Sequence, residues 1–418
     1  MNNYVEQPLG YWEEQSYMMA LLNEFDEDLF AKIVDRVDAI EGVKVTAVRD
    51  LTSEVPGGIR LTYNGEDYEI GYYPTEFSLP ESYARGPFYL SEQEMIKVNN
   101  AKSALTVYMS FNNKPKESFK LQLKLLMAMA PNLVAVVDES AEKLLPLKWV
   151  KMAINSSTTP SANDLYTIQA IAGDNNEIWI HTHGLCRCGT TELEVLQTSR
   201  ENYNTHYNLI TTFASYLLDN VEVKDIQGQG FHIGYFSNNY PIVATCLSWT
   251  KALNEYSNLS LGNIEDRQGG HNSKTSPIFV YQTENDERTM KVSPISVYNN
   301  LWEDNPLFFI SNDETKIRTI IAKERFNYVK QLSKDKNNDI IIKIALPVDG
   351  GKNYEHIYFR LIEFIGDKFR ATLLQEPYAD LGIHTGYEGT YSVEDVSDWA
   401  IYTPDTTITP TTAYILEK

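Results

Sequence analysis

The chain is poor in cysteine, in basic residues and in long apolar runs, and each shortage excludes something. Three cysteines in 418 residues, two of them in Cys186-Arg-Cys188, are too few for a disulfide framework. No stretch of about 18 apolar residues occurs, which removes a membrane-spanning helix. Residues 1–8 carry neither a basic head nor an apolar core, so no secretory leader is expected and the cytoplasm is the expected compartment. Lys and Arg number 36 against 57 Asp and Glu, a net charge of −21. Nucleic acid and anionic lipid would be repelled, so neither is an expected partner, whereas a basic protein fits. Acidity also serves plain solubility. Missing too are the Gly-x-Ser-x-Gly elbow, the His-Glu-x-x-His helix, the Gly-x-Gly-x-x-Gly fingerprint and the kinase set. The common reaction centres are absent.

What is present reads as globular and modular. A length of 418 residues exceeds one ordinary core and implies two or three domains. Residues 17–22 read as a buried strand, and 27–40 as a helix with Leu29, Phe30, Ile33, Val34, Val37 and Ile40 on one face. Asn64-Gly65 between two alternating runs signals a hairpin. Ser91-Glu-Gln-Glu94 has the form of a capping box. A second cycle runs from a strand at 104–110 through a helix opened by Pro115 and stopped by Pro131 to a strand at 133–137. Two such cycles predict an α+β fold, with strand–helix units of ferredoxin-like type and a mainly antiparallel sheet covered on one face by helices.

Residues 156–161 are turn-rich and read as a connection inside the larger part. Strands follow at 166–170, 178–183 and 192–196, then a helix at 203–218 with Tyr207, Ile210, Phe213, Ala214 and Leu217 inward. A long loop is expected over 254–289, carrying a strand at 277–281. Ser311-Asn-Asp-Glu314 reads as a helix start and marks a boundary. Beyond it, one helix from 313 to 332 and about five short strands predict a small curved sheet or SH3-like partial barrel. The domain reading is 1–155, 156–310 and 311–418.

Two constellations carry candidate chemistry. In His181-Thr-His183-Gly-Leu-Cys186-Arg-Cys188, a strand would put both imidazoles on one face, and the Cys-x-Cys turn supplies two sulfurs. Zinc accepts mixed His and Cys ligands, although Cys-x-Cys is tighter than the usual spacing. The alternative is a half-buried sheet face with cysteines as small apolar fillers. Around Asp266-Arg267-Gln-Gly269-Gly270-His271-Asn272-Ser-Lys274, glycines free the backbone amides while Arg267, His271 and Lys274 offer positive charge to a carboxylate or phosphate. The alternative is a loop packed onto the sheet by Arg267. Glu192 and Glu194 share one strand face and read as an exposed edge.

The runs Trp179-Ile-His-Thr-His-Gly-Leu185, Thr191-Glu-Leu-Glu194, Asp266-Arg-Gln-Gly-Gly-His-Asn272 and Asn305-Pro-Leu-Phe-Phe-Ile-Ser311 resemble the bacterial domain-of-unknown-function family 4026, with a more distant likeness to family 4261. Glu355-His-Ile-Tyr-Phe-Arg-Leu-Ile-Glu363, Phe369-Arg-Ala-Thr-Leu-Leu-Gln-Glu-Pro377 and Val396-Ser-Asp-Trp399 resemble family 2314. The resemblance implies a bacterial origin and supplies no catalytic residues to carry over. By analogy with small domains that act as immunity proteins, the expected function is a non-enzymatic protein-binding module with no cofactor. The alternative is a metal-assisted hydrolase, with zinc at His181, His183, Cys186 and Cys188 and with Arg267 and His271 nearby.

Overall fold

A computed structural model describes residues 14–24, 28–52, 55–80, 83, 86–173, 176–221, 225–256, 258–270 and 273–417. The chain forms two compact units, one of residues 1–150 and 162–311, the other of 151–161 and 312–418. Helices and sheets coexist in both, as the α+β reading requires.

The first unit holds two sheets. The first has strands β1 (Gln15–Leu22), β2 (Val43–Arg49), β3 (Gly57–Tyr63), β4 (Glu66–Glu76), β5 (Ser103–Ser110), β6 (Ala135–Asp138) and β7 (Lys143–Pro146), in the order β2-β3-β4-β5-β1-β6-β7. All of these pairings are antiparallel. Its centre, β4-β5-β1-β6, has the ferredoxin-like order, extended at one edge by β2 and β3. The Asn64-Gly65 turn joins β3 to β4 with both residues at positive φ, 50° and 85°, as a two-residue hairpin needs.

The helix Pro115–Met129 packs on this sheet. It starts with Pro at its first turn, ends before Pro131, and buries Phe119, Leu123 and Leu126. Each such side chain contributes about 1.5–3 kcal/mol by leaving water. Gln122 fixes the docking angle, its amide nitrogen donating to Ser16 O at 3.0 Å and Val107 O at 3.1 Å. Ser91 and Glu94 form the expected capping box. The helix expected over 27–40 appears as Asp28–Ala31 and Ile33–Asp38, because Lys32 (φ −115°, ψ 8°) leaves helical geometry.

The second sheet comprises β8 (Thr167–Ala172), β9 (Glu177–His183), β10 (Glu192–Ser199), β11 (Phe231–Tyr235), β12 (Pro241–Cys246), β13 (Thr275–Tyr281), β14 (Ser293–Pro294) and β15 (Leu307–Phe308). Its order is β15-β11-β12-β13-β10-β9-β8, with β14 beside β13. It is mainly antiparallel, but β10 and β13 run parallel at its centre. The helix Tyr203–Asp219 covers it, burying Leu209, Ile210, Phe213, Ala214 and Leu217. Tyr207, expected inward, is 39% exposed; Leu209 takes the inward position on that turn.

In the second unit, β16 (Asp339–Val348), β17 (Asn353–Ile365), β18 (Lys368–Leu373), β19 (Glu388–Ser392), β20 (Val396–Tyr402) and β21 (Thr407–Ile408) form a curled sheet in the order β19-β18-β17-β16-β20-β21. Ile342, Ile344, Phe359, Phe369 and Trp399 fill its core with Phe326 and Val329. The single helix expected over 313–332 is two, Asn312–Glu324 and Phe326–Leu332. Arg325 breaks it, its guanidinium donating to Pro410 O at 2.5 Å. Residues 156–161, read as a connection in the larger part, belong to this unit. Glu324 accepts from Ser156 Oγ at 2.7 Å and Ser157 N at 2.7 Å, and Glu314 accepts from Ser161 Oγ. Among the described residues no helix is long and apolar enough to cross a membrane.

Candidate functional site

Between the two sheets of the first unit lies a cleft of about 480 Å³. The first sheet supplies Glu14, Gln15 and Tyr17 at the start of β1, Tyr73 from β4, and the turn between β6 and β7 with Glu139, Ser140 and Glu142. From the second sheet come His183 and Gly184 at the end of β9, and Ser273, Lys274 and Thr275 where β13 opens.

The turn after β9 makes the close approach of the two sheets feasible. Gly184 sits at φ +112°, and a Cβ there would lie 2.7 Å from Leu165 O and 2.9 Å from Ala141 Cβ. Only glycine fits. Glu192 then holds the turn, accepting from Gly184 N at 2.8 Å, Cys186 N at 2.9 Å and Thr182 Oγ1 at 2.7 Å. Behind the cleft, Arg187 crosses to the first sheet and forks onto Asp138. Lys143, fully buried, donates to Asp164 O at 2.5 Å and Tyr166 O at 3.2 Å, and its burial lowers its pKa to about 8.

The open groups are mostly acidic. Glu142 is held by Gln169, whose amide donates at 2.7 Å, and stands 3.6 Å from His183 Nδ1. Its backbone is left-handed at φ +50°, a costly conformation for a residue with a side chain. Crowding by protein pushes the Glu139 carboxyl above its ordinary value. Tyr73 is likewise raised, first by burial and then by Glu139. Tyr17 and Tyr73 both lie against Tyr108, at ring distances of 5.3 and 6.1 Å, so the cleft has a tyrosine wall. Lys274 reaches Glu14 at 3.5 Å.

The residues singled out in the sequence divide among three places. His181 and His183 share a face of β9 as expected, their rings 4.9 Å apart. His181 is fully buried with its ring 4.5 Å from that of Trp179, whereas His183 reaches the cleft. Cys186 and Cys188 sit on a single 3-10 turn, and their thiols point at backbone carbonyls, Lys274 O at 3.9 Å and Gly184 O at 3.6 Å. Burial pushes both thiols up, Cys188 to about 12, so they are held protonated. Among the described residues no group of three or more His, Cys, Asp and Glu side chains is arranged to hold a metal ion.

Arg267 faces inward. Its guanidinium carbon lies 5.4 and 4.9 Å from the Trp179 and Trp249 ring centres, and the group donates to both Glu194 oxygens through Nη2, at 2.8 and 3.0 Å, and to Thr275 Oγ1 through Nη1 at 2.7 Å. Gly269 and Gly270 close the 3-10 turn Glu265–Gly270, and His271 falls outside the described residues. Arg267 and Lys274 therefore engage separate carboxylates, Glu194 and Glu14. Glu192 and Glu194, read as an exposed edge, are buried at 8% and 0% exposure, because β10 is a central strand. Carboxylates on a central strand must be paired, and these are. Sequence reading passed over Tyr17, Tyr73, Glu139 and Glu142, which lie far apart in the chain without a motif.

Two models of one family match the chain: "Protein of unknown function (DUF4026) N-terminal" over residues 16–160, and "Protein of unknown function (DUF4026) C-terminal" over residues 168–279. The two matches correspond closely to the first sheet and to most of the second. No curated protein and no solved structure matches. The chain belongs to the DUF4026 family of proteins of unknown function.

Proposed function

We propose that this protein is a non-enzymatic, cytoplasmic binding module of bacterial origin whose acidic cleft captures a cationic group of a basic protein partner, in the manner of an immunity protein. The observation that supports this reading is the lining of the cleft, where, among the described residues, Glu14, Glu139 and Glu142 outnumber the exposed Lys274, which is itself ion-paired with Glu14. Crowding disfavours the charged form of Glu139, and an incoming cation would relieve that cost. The net charge of −21 would steer a basic partner toward the protein at long range. The likeness of residues 355–399 to family 2314, and of the His-Gly-Leu and Glu-Leu-Glu runs to family 4261, agrees with a modular assembly.

Calorimetric titration with a peptide of mixed Lys and Arg tests the reading. Binding at low salt that is lost at about 0.5 M salt, and lost in Glu139→Gln/Glu142→Gln, supports it. Absence of binding at low salt, or binding indifferent to both carboxylates, overturns it. A second reading, metal-assisted hydrolysis, draws only on the nearness of His183 to Glu142, with Nδ1 and the carboxylate 3.6 Å apart, longer than a hydrogen bond. Stoichiometric zinc in the purified protein would favour that reading.

A further inference from the structure

We infer that the cationic group taken by the cleft is the guanidinium of a partner's arginine, in preference to a lysine ammonium. The inference rests on the binding reading above and names its ligand. Its ground is a construction that the first unit uses twice for its own arginines. The Arg187 guanidinium carbon lies 5.4 and 5.3 Å from the Phe111 and Phe119 ring centres, and the group meets Asp138 through both terminal nitrogens. The Arg267 guanidinium carbon lies 5.4 and 4.9 Å from the Trp179 and Trp249 ring centres, and its Nη2 donates to both Glu194 oxygens. In each case two aromatic ring centres lie within 5.4 Å of the guanidinium carbon and a carboxylate accepts from it, through both terminal nitrogens of Arg187 and through Nη2 alone of Arg267.

The cleft combines the same parts and opens to solvent. Tyr17 and Tyr73, braced by Tyr108, supply the aromatic wall, and Glu139 and Glu142 supply the carboxylates. Tyr17 and Tyr108 are nearly parallel, at 17°, and Tyr73 is tilted by 57° to Tyr108, so the rings form a bent surface. Glu142 is braced by Gln169 and so presents its carboxylate from a set position. A weakly hydrated, planar guanidinium gains from stacking and from a two-oxygen acceptor together. A compact ammonium, strongly hydrated, gains mainly from charge.

The test compares tetra-arginine with tetra-lysine, peptides of equal charge, by calorimetry on the full chain at low salt. The expected result is about tenfold tighter binding of tetra-arginine. Tyr73→Leu should narrow that gap to within about twofold, while Glu139→Gln should weaken both peptides. Circular dichroism checks folding, and Tyr17→Leu replaces Tyr73→Leu if the latter does not fold. Equal affinities in the unaltered protein, or a gap that survives both tyrosine changes, overturn the arginine inference and leave the binding reading standing. Failure of both peptides to bind overturns the two together.

Discussion

Arg187 and Asp138 join the two sheets of the first unit through a pair of parallel bonds, Nη1 to Oδ1 at 2.6 Å and Nη2 to Oδ2 at 2.7 Å. Both side chains are almost wholly buried. Ser16 Oγ and Leu165 O accept from the same guanidinium at 2.9 and 2.6 Å. A charge so placed is tolerable only while its partner is present. Asp138→Asn should therefore cost about 3–5 kcal/mol, because Arg187 and Lys143 both lose their buried counter-charge. Arg187→Met/Asp138→Leu should cost less than Asp138→Asn alone. Urea unfolding curves check both, and a larger loss in the double variant would contradict the account.

Arg267 makes the same argument for the second sheet. Its ring contacts and its bonds to Glu194, Thr275 and Gly262 O fix the 3-10 turn Glu265–Gly270 onto β10 and β13. Arg267→Ala should destabilise by about 3–5 kcal/mol, since Glu194 would stay buried without its cation. Arg267→Lys should not rescue it fully, because a single ammonium cannot replace the several guanidinium nitrogens that reach Glu194, Thr275 and Gly262. Trp179 and Trp249 lie 5.4 and 4.9 Å from the guanidinium carbon, so tryptophan emission together with urea unfolding reads the change directly.

His206 predicts how stability responds to acid. The ring is buried beneath Trp302, its Nδ1 is 3.0 Å from Thr198 Oγ1, and burial lowers its pKa from 6.5 to about 4. The unfolded chain thus takes up a proton at a pH where the folded chain does not. The stabilisation is complete above pH 6.5 and is lost as the pH falls toward 4, on the order of 3 kcal/mol. Denaturant midpoints measured at pH 7 and pH 4.5 should differ by more in the unaltered protein than in His206→Gln. Equal acid sensitivity in the two would refute the assignment to this residue.

Local signals were readable where a short segment decides its own shape. Asn64-Gly65, the Ser91–Glu94 capping box and the Pro115 helix start each follow from neighbouring residues alone. The pairing of His181 with His183 followed from strand periodicity. What could not be read was which strands lie at the centre of a sheet. Glu192 and Glu194 looked like a solvated edge until β13, more than 75 residues later, closed over β10 in parallel. The break at Arg325 depends on Pro410, and the cleft depends on the meeting of residues 14–17, 139–142 and 273–275. These are contacts between distant segments, and local propensity carries no trace of them.

Glu142 supplies a prediction that separates binding from folding. It stands at φ +50° in the four-residue turn between β6 and β7, where glycine would carry no side-chain penalty. Strain of this kind, about 1–3 kcal/mol for a residue held in a sparsely populated region, persists when the side chain is needed where it points. Glu142→Gly gives up the Gln169 hydrogen bond, worth roughly 1 kcal/mol, and relieves the backbone by a similar amount. Stability by urea unfolding should therefore stay within about 1 kcal/mol of the unaltered protein. Binding of a cationic peptide should nonetheless fall by about tenfold or more, because one carboxylate of the cleft is gone. A variant that is destabilised by several kcal/mol, yet binds with unchanged affinity where it is still folded, would place the role of Glu142 in the turn and not in the cleft.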